Sequence, residues 1–229
     1  PQAIGLAATW DTDLMARVAT VIGDETRSRG IRQVLSPVIN IARDVRWGRV
    51  EETYGEDPYL SSRMGAAFCK AIESRGVITT PKHFVANYGD GGRDSNPVHS
   101  SERELREVYF PPFKACVQDG KAMSVMAAYN AIDDIPCSAN TWLLTDILRK
   151  EWGFKGFVVS DYGSVWGIKN KHFVAATEGD AAKKAVEAGL DMELPDIQFY
   201  GAPLLEKAKA KEVNARAINN ATRNILRAK

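Results

Sequence analysis

The segment Gly156-Phe157-Val158-Val159-Ser160-Asp161-Tyr162 is an apolar, β-branched run that ends on a carboxylate and an aromatic ring. A carboxylate at a strand end is a candidate nucleophile, and a ring beside it can stack on a sugar face. Asp161 with Tyr162 therefore suits attack at a glycosidic carbon. Asp is also common as a helix N-cap, and this segment alone leaves that reading open. Pro81-Lys82-His83-Phe84 ends a second apolar run with two adjacent cation-capable side chains. Neighbours on a strand point to opposite faces, so both reach one ligand only if the backbone bends there. Lys82 and a neutral His83 can donate hydrogen bonds to hydroxyls, and Lys82 would hold a nearby carboxylate ionised. A surface pair is the plain alternative. Met126-Ala127-Ala128-Tyr129-Asn130 brings a phenol to a third strand end, where Tyr129 could orient a carboxylate or be an ordinary half-buried Tyr. The run from Arg43 to Pro58 is too charged and too Gly-punctuated for a core element. An Arg fork among acids and Trp47 can fix hydroxyls, although a solvated, salt-bridged loop is the commonest fate of such runs. His83, His99 and His172 have no paired ligand spacing, so no metal is expected.

These strand ends need a scaffold that brings them together. Short apolar runs at residues 4–8, 34–39, 77–80, 123–128, 157–160 and 190–193 alternate with amphipathic stretches at 13–29, 57–75, 103–119, 141–151 and 180–188. That alternation predicts repeated βα units and a parallel sheet. A closing helix is expected over 212–229, with Val213, Ala217, Ile218, Ala221, Ile225 and Leu226 on one face. Nearly every apolar run leads into polar residues at its C-terminal end: Thr9-Trp10-Asp11, Asn40, Lys82-His83, Tyr129-Asn130, Asp161-Tyr162 and Glu193. In a (β/α)8 barrel the strand C-termini converge on one face, where active sites sit. The expected fold is a TIM-barrel-like α/β domain over residues 1–229, incomplete or modified, because six candidate strands fall short of the eight a barrel uses.

Composition removes other classes of function. A formal charge of +1 gives no footprint for nucleic acid. No apolar run approaches the roughly 20 residues that cross a bilayer, so no membrane partner is expected. Cys69, Cys116 and Cys137 are an odd number without metal-like spacing, which predicts at least one buried thiol and no complete disulfide framework. The chain opens on Pro1 rather than Met, so a removed leader would leave no trace.

Taken together, the segments resemble glycoside hydrolase family 3 from Pro1 to Lys229. The resemblance rests on the Arg46-Trp47-Gly48-Arg49 loop, the Tyr54-Gly55-Glu56-Asp57-Pro58 turn, the Lys82-His83-Phe84 strand end, the Glu102-Arg103-Glu104-Leu105-Arg106-Glu107 helix start and Val159-Ser160-Asp161, all in family order. It implies a two-step retaining hydrolysis of terminal β-linked glucosides or xylosides, without a cofactor. In it Asp161 is the nucleophile, Arg49, Lys82, His83 and Tyr129 hold the sugar, and Met126 and Tyr162 form apolar walls. Two family features are not found in this chain: an earlier strand with an acidic residue that grips the far hydroxyls, and the general acid/base. Most members take that acid from a Glu on a following α/β sandwich domain. A single-domain branch uses an Asp-Ser-His loop, and Arg93-Asp94-Ser95-Asn96 here lacks the His, which disfavours that branch; His99 as a displaced substitute is the lesser alternative. Glu51, Glu52 and Glu193 are the local alternatives. The expected partners are a carbohydrate substrate and a second copy or the sandwich domain to complete the site. The competing reading is a sugar-binding or assembly module that turns nothing over. A secreted or periplasmic setting is expected over a cytoplasmic one.

Overall fold

A computed structural model describes residues 2–88 and 96–229. It begins with α1 (Ala3–Ala7), α2 (Thr12–Ser28), β1 (Gln33–Val34), α3 (Pro58–Glu73) and β2 (Ile78–Thr79). There follow α4 (Glu102–Glu104), a π-helical stretch (Leu105–Tyr109), α5 (Phe110–Gln118), β3 (Ser124–Ala127) and a hairpin of β4 (Ala131–Ile132) and β5 (Ile135–Pro136). A second π-helical stretch (Trp142–Glu151), β6 (Phe157–Ser160), α6 (Ser164–Asn170), α7 (Glu178–Ala188), α8 (Ala202–Lys209) and α9 (Ala215–Ala228) complete the chain.

The strands form one parallel run in chain order. β1 pairs with β2, and the same two lines continue to a bridge between Val38 and Lys82. Phe84 bridges to Ala127, β3 pairs along its length with β6, and Val159 bridges to Met192. A helical segment lies between each pair of neighbouring lines, which is the βα repeat the sequence predicts. Among the described residues no pairing joins the Met192 line back to β1. They form an open run of five parallel lines rather than a closed ring of eight.

The helices start where side chains can take up their free amides. Asp11 accepts from Asp13 N and Leu14 N at 3.0 and 2.8 Å, and Asp57 accepts from Leu60 N with Pro58 in the first turn. Thr177 and Asp180 close a reciprocal capping box on α7, which stops at Gly189 in the left-handed region (φ 111°). The strands are buried on both faces. Val125, Ala127 and Val158 pack with the helices in the main core, whereas Met126, Phe157 and Val159 form a separate inner cluster with Leu35, Ile78, Met192, Leu194 and Ile225. Each fully buried aliphatic side chain there contributes about 1.5–3 kcal/mol.

Two local expectations are corrected. Residues 4–8 are not a strand, because the Gly5 and Leu6 amides turn back to Gln2 O and open α1. An apolar run this short fits either period. Asp11 is accordingly committed as a helix cap, and Trp10 beside it is exposed. Of the expected closing-helix face, Val213 just before α9 and Ala217, Ile218 and Ala221 on it join the main core and Ile225 the inner cluster, but Leu226 is 63% exposed. All three cysteines are buried and free, and burial pushes the Cys137 thiol up to about 12. No helix among the described residues is long and apolar enough to cross a membrane.

Candidate active site

The ends of four parallel lines carry the site. Phe84 is fully buried against Phe110, Phe113 and Trp152, with ring centroids 6.1, 5.0 and 5.6 Å away. That aromatic anchor fixes the end of the second line and leaves His83 on its other side. The backbone departs from a regular strand here, with the Lys82–His83 and Phe84–Val85 peptides cis. Asn40, at the end of the first line, fills the gap: its Oδ1 accepts from His83 N at 2.8 Å and its Nδ2 donates to His83 O at 2.9 Å.

Asp161 follows β6 and is 7% exposed. Its Oδ1 accepts from Tyr162 N at 2.7 Å, and its Oδ2 lies 3.5 Å from His83 Nε2. Oδ2 is buried and has no hydrogen bond among the described residues. Burial pushes the Asp161 carboxyl above its ordinary range, opposed by the Tyr162 amide, the Tyr129 hydroxyl and the charges of Lys82 and Arg49. Lys82 is half-buried; burial lowers its ammonium and Arg49 lowers it further, while Asp161 and Glu52 act against both. Arg49 Nε and one terminal nitrogen form a fork on Glu52, each contact 2.7 Å, and its other terminal nitrogen lies 3.1 Å from His83 Nε2. The fork and the buried setting hold the guanidinium in place for a ligand, and the Glu52 contacts raise its pKa.

The structure thus brings Arg49, Lys82, His83, Tyr129 and Asp161 into one constellation. Met126 is fully buried in the inner cluster and pairs opposite Val159, two residues before Asp161 in the chain. Tyr162 lends its amide to the nucleophile candidate while the residue is 53% exposed. The charged loop divides. Arg46 forks onto Asp44 at the surface, holding that carboxyl down at about 2, whereas Arg49 turns inward with its guanidinium 5.8 Å from the Trp47 ring centre.

Two of the three candidate acids at the mouth are otherwise occupied. Glu193 is buried and accepts the amides of Gln198, Phe199 and Tyr200, which anchors the following loop. Glu52 holds Arg49, and Glu51 is exposed. His99 sits in an exposed pair with Asp133 at 3.4 Å. Arg93, Asp94 and Ser95 lie outside the described residues. Asn40 is the residue that sequence reasoning left without a role; an amide directly after an apolar run was the available signal.

A buried carboxylate facing a cationic and imidazole cluster at the C-terminal ends of parallel strands is the arrangement of an α/β enzyme site. The family model for the glycosyl hydrolase family 3 N terminal domain matches residues 1–228, and the chain belongs to that family. A β-xylosidase of Formosa agariphila is 42% identical over the whole chain, which covers 34% of that protein. A periplasmic β-glucosidase of Salmonella typhimurium is 38% identical, with 30% of its length covered. The solved structure of a β-glucosidase from Erythrobacter marinus superposes on the full chain with a TM-score of 0.96 at 35% identity, covering 31% of that protein. A β-glucosidase of Listeria innocua in complex with glucose gives 0.95 at 32% identity, with 33% covered. The chain therefore spans about a third of the length of the relatives it matches.

Proposed function

We propose that this chain carries the nucleophile half of a retaining β-glycosidase acting on terminal β-linked glucosides or xylosides. The observation that carries the reading is the state of Asp161: a buried carboxylate with one oxygen held and the other bare. In the first step a carboxylate oxygen attacks the anomeric carbon, the glycosidic bond breaks, and its electron pair leaves with the aglycone oxygen. Water then displaces the carboxylate from the glycosyl-enzyme. Lys82 and Arg49 keep the carboxylate ionised against its burial, and Tyr129 orients it. Lys82, Arg49 and His83 also offer polar contacts to sugar hydroxyls. Met126 and the exposed Tyr162 give apolar walls, as the family resemblance implies.

A retaining pair needs its second carboxyl about 5 Å from the first. Glu52 and Glu193 are committed to other partners, so we assign the general acid/base to a segment beyond the described residues, such as the sandwich domain that the family resemblance implies. The same segment, or a second copy, would complete the open parallel run as a barrel. This leaves the second reading, a sugar-binding module that depends on its partner for turnover. It is favoured by the same commitment of Glu52 and Glu193. A setting outside the cytoplasm fits the relative named a periplasmic β-glucosidase.

A panel of chromogenic β-glucosides and β-xylosides tests the proposal. Release of aglycone with retention at the anomeric carbon is expected. Inversion, or hydrolysis of α-glycosides alone, would overturn the assignment.

A further inference from the structure

We infer that Asn40 is a positioning residue that locks His83 in the one tautomer that withholds a hydrogen bond from Asp161 Oδ2 and so keeps electron density on the carboxylate; the inference rests on the reading of Asp161 as nucleophile. Backbone atoms decide which way the Asn40 amide faces. The His83 N–H only donates and the His83 carbonyl only accepts, so the Asn40 atom at 2.8 Å from the first is Oδ1 and the atom at 2.9 Å from the second is Nδ2. Oδ1 has no hydrogen to give. His83 Nδ1, 2.9 Å from the same Oδ1, must therefore carry a proton.

The other ring nitrogen is settled by Arg49. A guanidinium offers only donors, so His83 Nε2 at 3.1 Å presents its lone pair. The ring is thus neutral, with its proton on the side away from Asp161. Nε2 lies 3.5 Å from Asp161 Oδ2 yet has no hydrogen for it, which explains why that oxygen is buried without a hydrogen bond. The opposite tautomer would place N–H against Oδ2 and draw electron density from the carboxylate. An imidazolium would do the same with a full charge.

The amide matters more than its size. A carboxylate at position 40 would accept from Nδ1 as an anion and favour a doubly protonated ring. Among the described residues, the charged groups that face the ring include Arg49 and Asp161, with Lys82 adjacent in the chain, Glu52 behind Arg49 and the Tyr129 hydroxyl hydrogen-bonded to the Asp161 side chain.

Histidine labelled with nitrogen-15 reads this directly through long-range proton–nitrogen correlations, with the His83 signals assigned by their loss in His83→Gln. At neutral pH the unmodified protein should show Nδ1 protonated and Nε2 bare. In Asn40→Asp both nitrogens should be protonated, and turnover of an aryl β-glucoside should fall by at least about 10-fold with KM little changed. Should Asn40→Asp not fold, Arg49→Met must still show the Nδ1–H tautomer, because Asn40 sets it. A proton on Nε2 in the unmodified protein would overturn the inference. So would a folded Asn40→Asp protein whose ring stays neutral, or one whose ring is doubly protonated at unchanged turnover. If instead the tautomer is as stated and Asp161→Ala retains full turnover, the nucleophile reading fails while the lock stands.

Discussion

Asp161 and Asp191 are both buried acids beside β6, and they live opposite lives. Asp191 lies alongside the start of the strand, where its carboxylate accepts from Val158 N at 2.7 Å and Asn224 Nδ2 at 3.0 Å and pairs with Arg149. Both of its oxygens are used, and they tie β6, α9 and the helix before β6 together. Asp161, at the other end of the same strand, has one oxygen held and one bare. Burial raises the pKa of each. The difference lies in what opposes burial. At Asp191 it is the charge of Arg149 and hydrogen-bonded partners that the fold needs; at Asp161 it is the Tyr162 amide and the Tyr129 hydroxyl, with the charges of Lys82 and Arg49 held nearby. An unsatisfied buried carboxylate costs stability, and that cost is consistent with a role in chemistry rather than in folding.

Substitution should therefore separate the two sites. In the complete enzyme, Asp161→Ala is expected to lower turnover by roughly 10⁴-fold with little change in stability. Added azide should restore cleavage of an activated aryl glucoside as the α-glycosyl azide, since azide attacks from the face the carboxylate has vacated. Asp191→Ala should do the reverse, destabilising by about 3 kcal/mol because the largely buried Arg149 loses its counter-charge and the amides of Val158 and Asn224 lose their acceptor. Urea unfolding alongside kcat on the residual folded protein checks both. Equal loss of stability at the two positions would erase the contrast.

The next effect is one of pH. The folded pKa of Asp161 lies above its ordinary 3.8. Below that ordinary value the group is protonated in both states and costs nothing. As pH rises through the window up to the folded pKa, the unfolded chain gives up its proton first, and stability falls. Asp161→Asn removes this penalty, so the variant should gain on the parent in thermal midpoint between acid and neutral pH. A gain that shrinks over that range would show that the carboxylate is better satisfied than its geometry indicates.

A smaller shift should follow from Lys82→Met. Lys82 lowers the Asp161 pKa through its charge, so its removal should move the acid limb of the kcat/KM profile to higher pH. An unmoved limb would place Lys82 too far from the carboxylate to matter.

Much of this contrast was open to sequence reading, and its decisive part was not. The run from Phe157 to Asp161 declares itself, because β-branched residues ending on an acid read as a strand delivering a carboxylate. Glu193 ends its own apolar run in the same way, yet three amides from residues 198–200 make it structural. Nothing local distinguishes the two; only the fold of the following loop does. Asn40 was hidden for a related reason, since its three contacts all go to a residue 43 positions away. Residues 4–8 misled because five apolar and small residues satisfy a strand and a helix equally. The Arg46–Trp47–Gly48–Arg49 run held both of its readings at once, Arg46 as a surface pair and Arg49 in the site.

The most direct test of Asp161 as nucleophile is to trap the glycosyl-enzyme. A 2-deoxy-2-fluoro β-glucoside with a good leaving group slows the second step by destabilising positive charge at the anomeric carbon, so the covalent adduct accumulates. Peptide mass spectrometry of the inactivated enzyme should find one fluoroglucosyl group, on the peptide containing Ser160-Asp161-Tyr162 and on Asp161 itself. The same adduct on any other carboxylate would contradict the account.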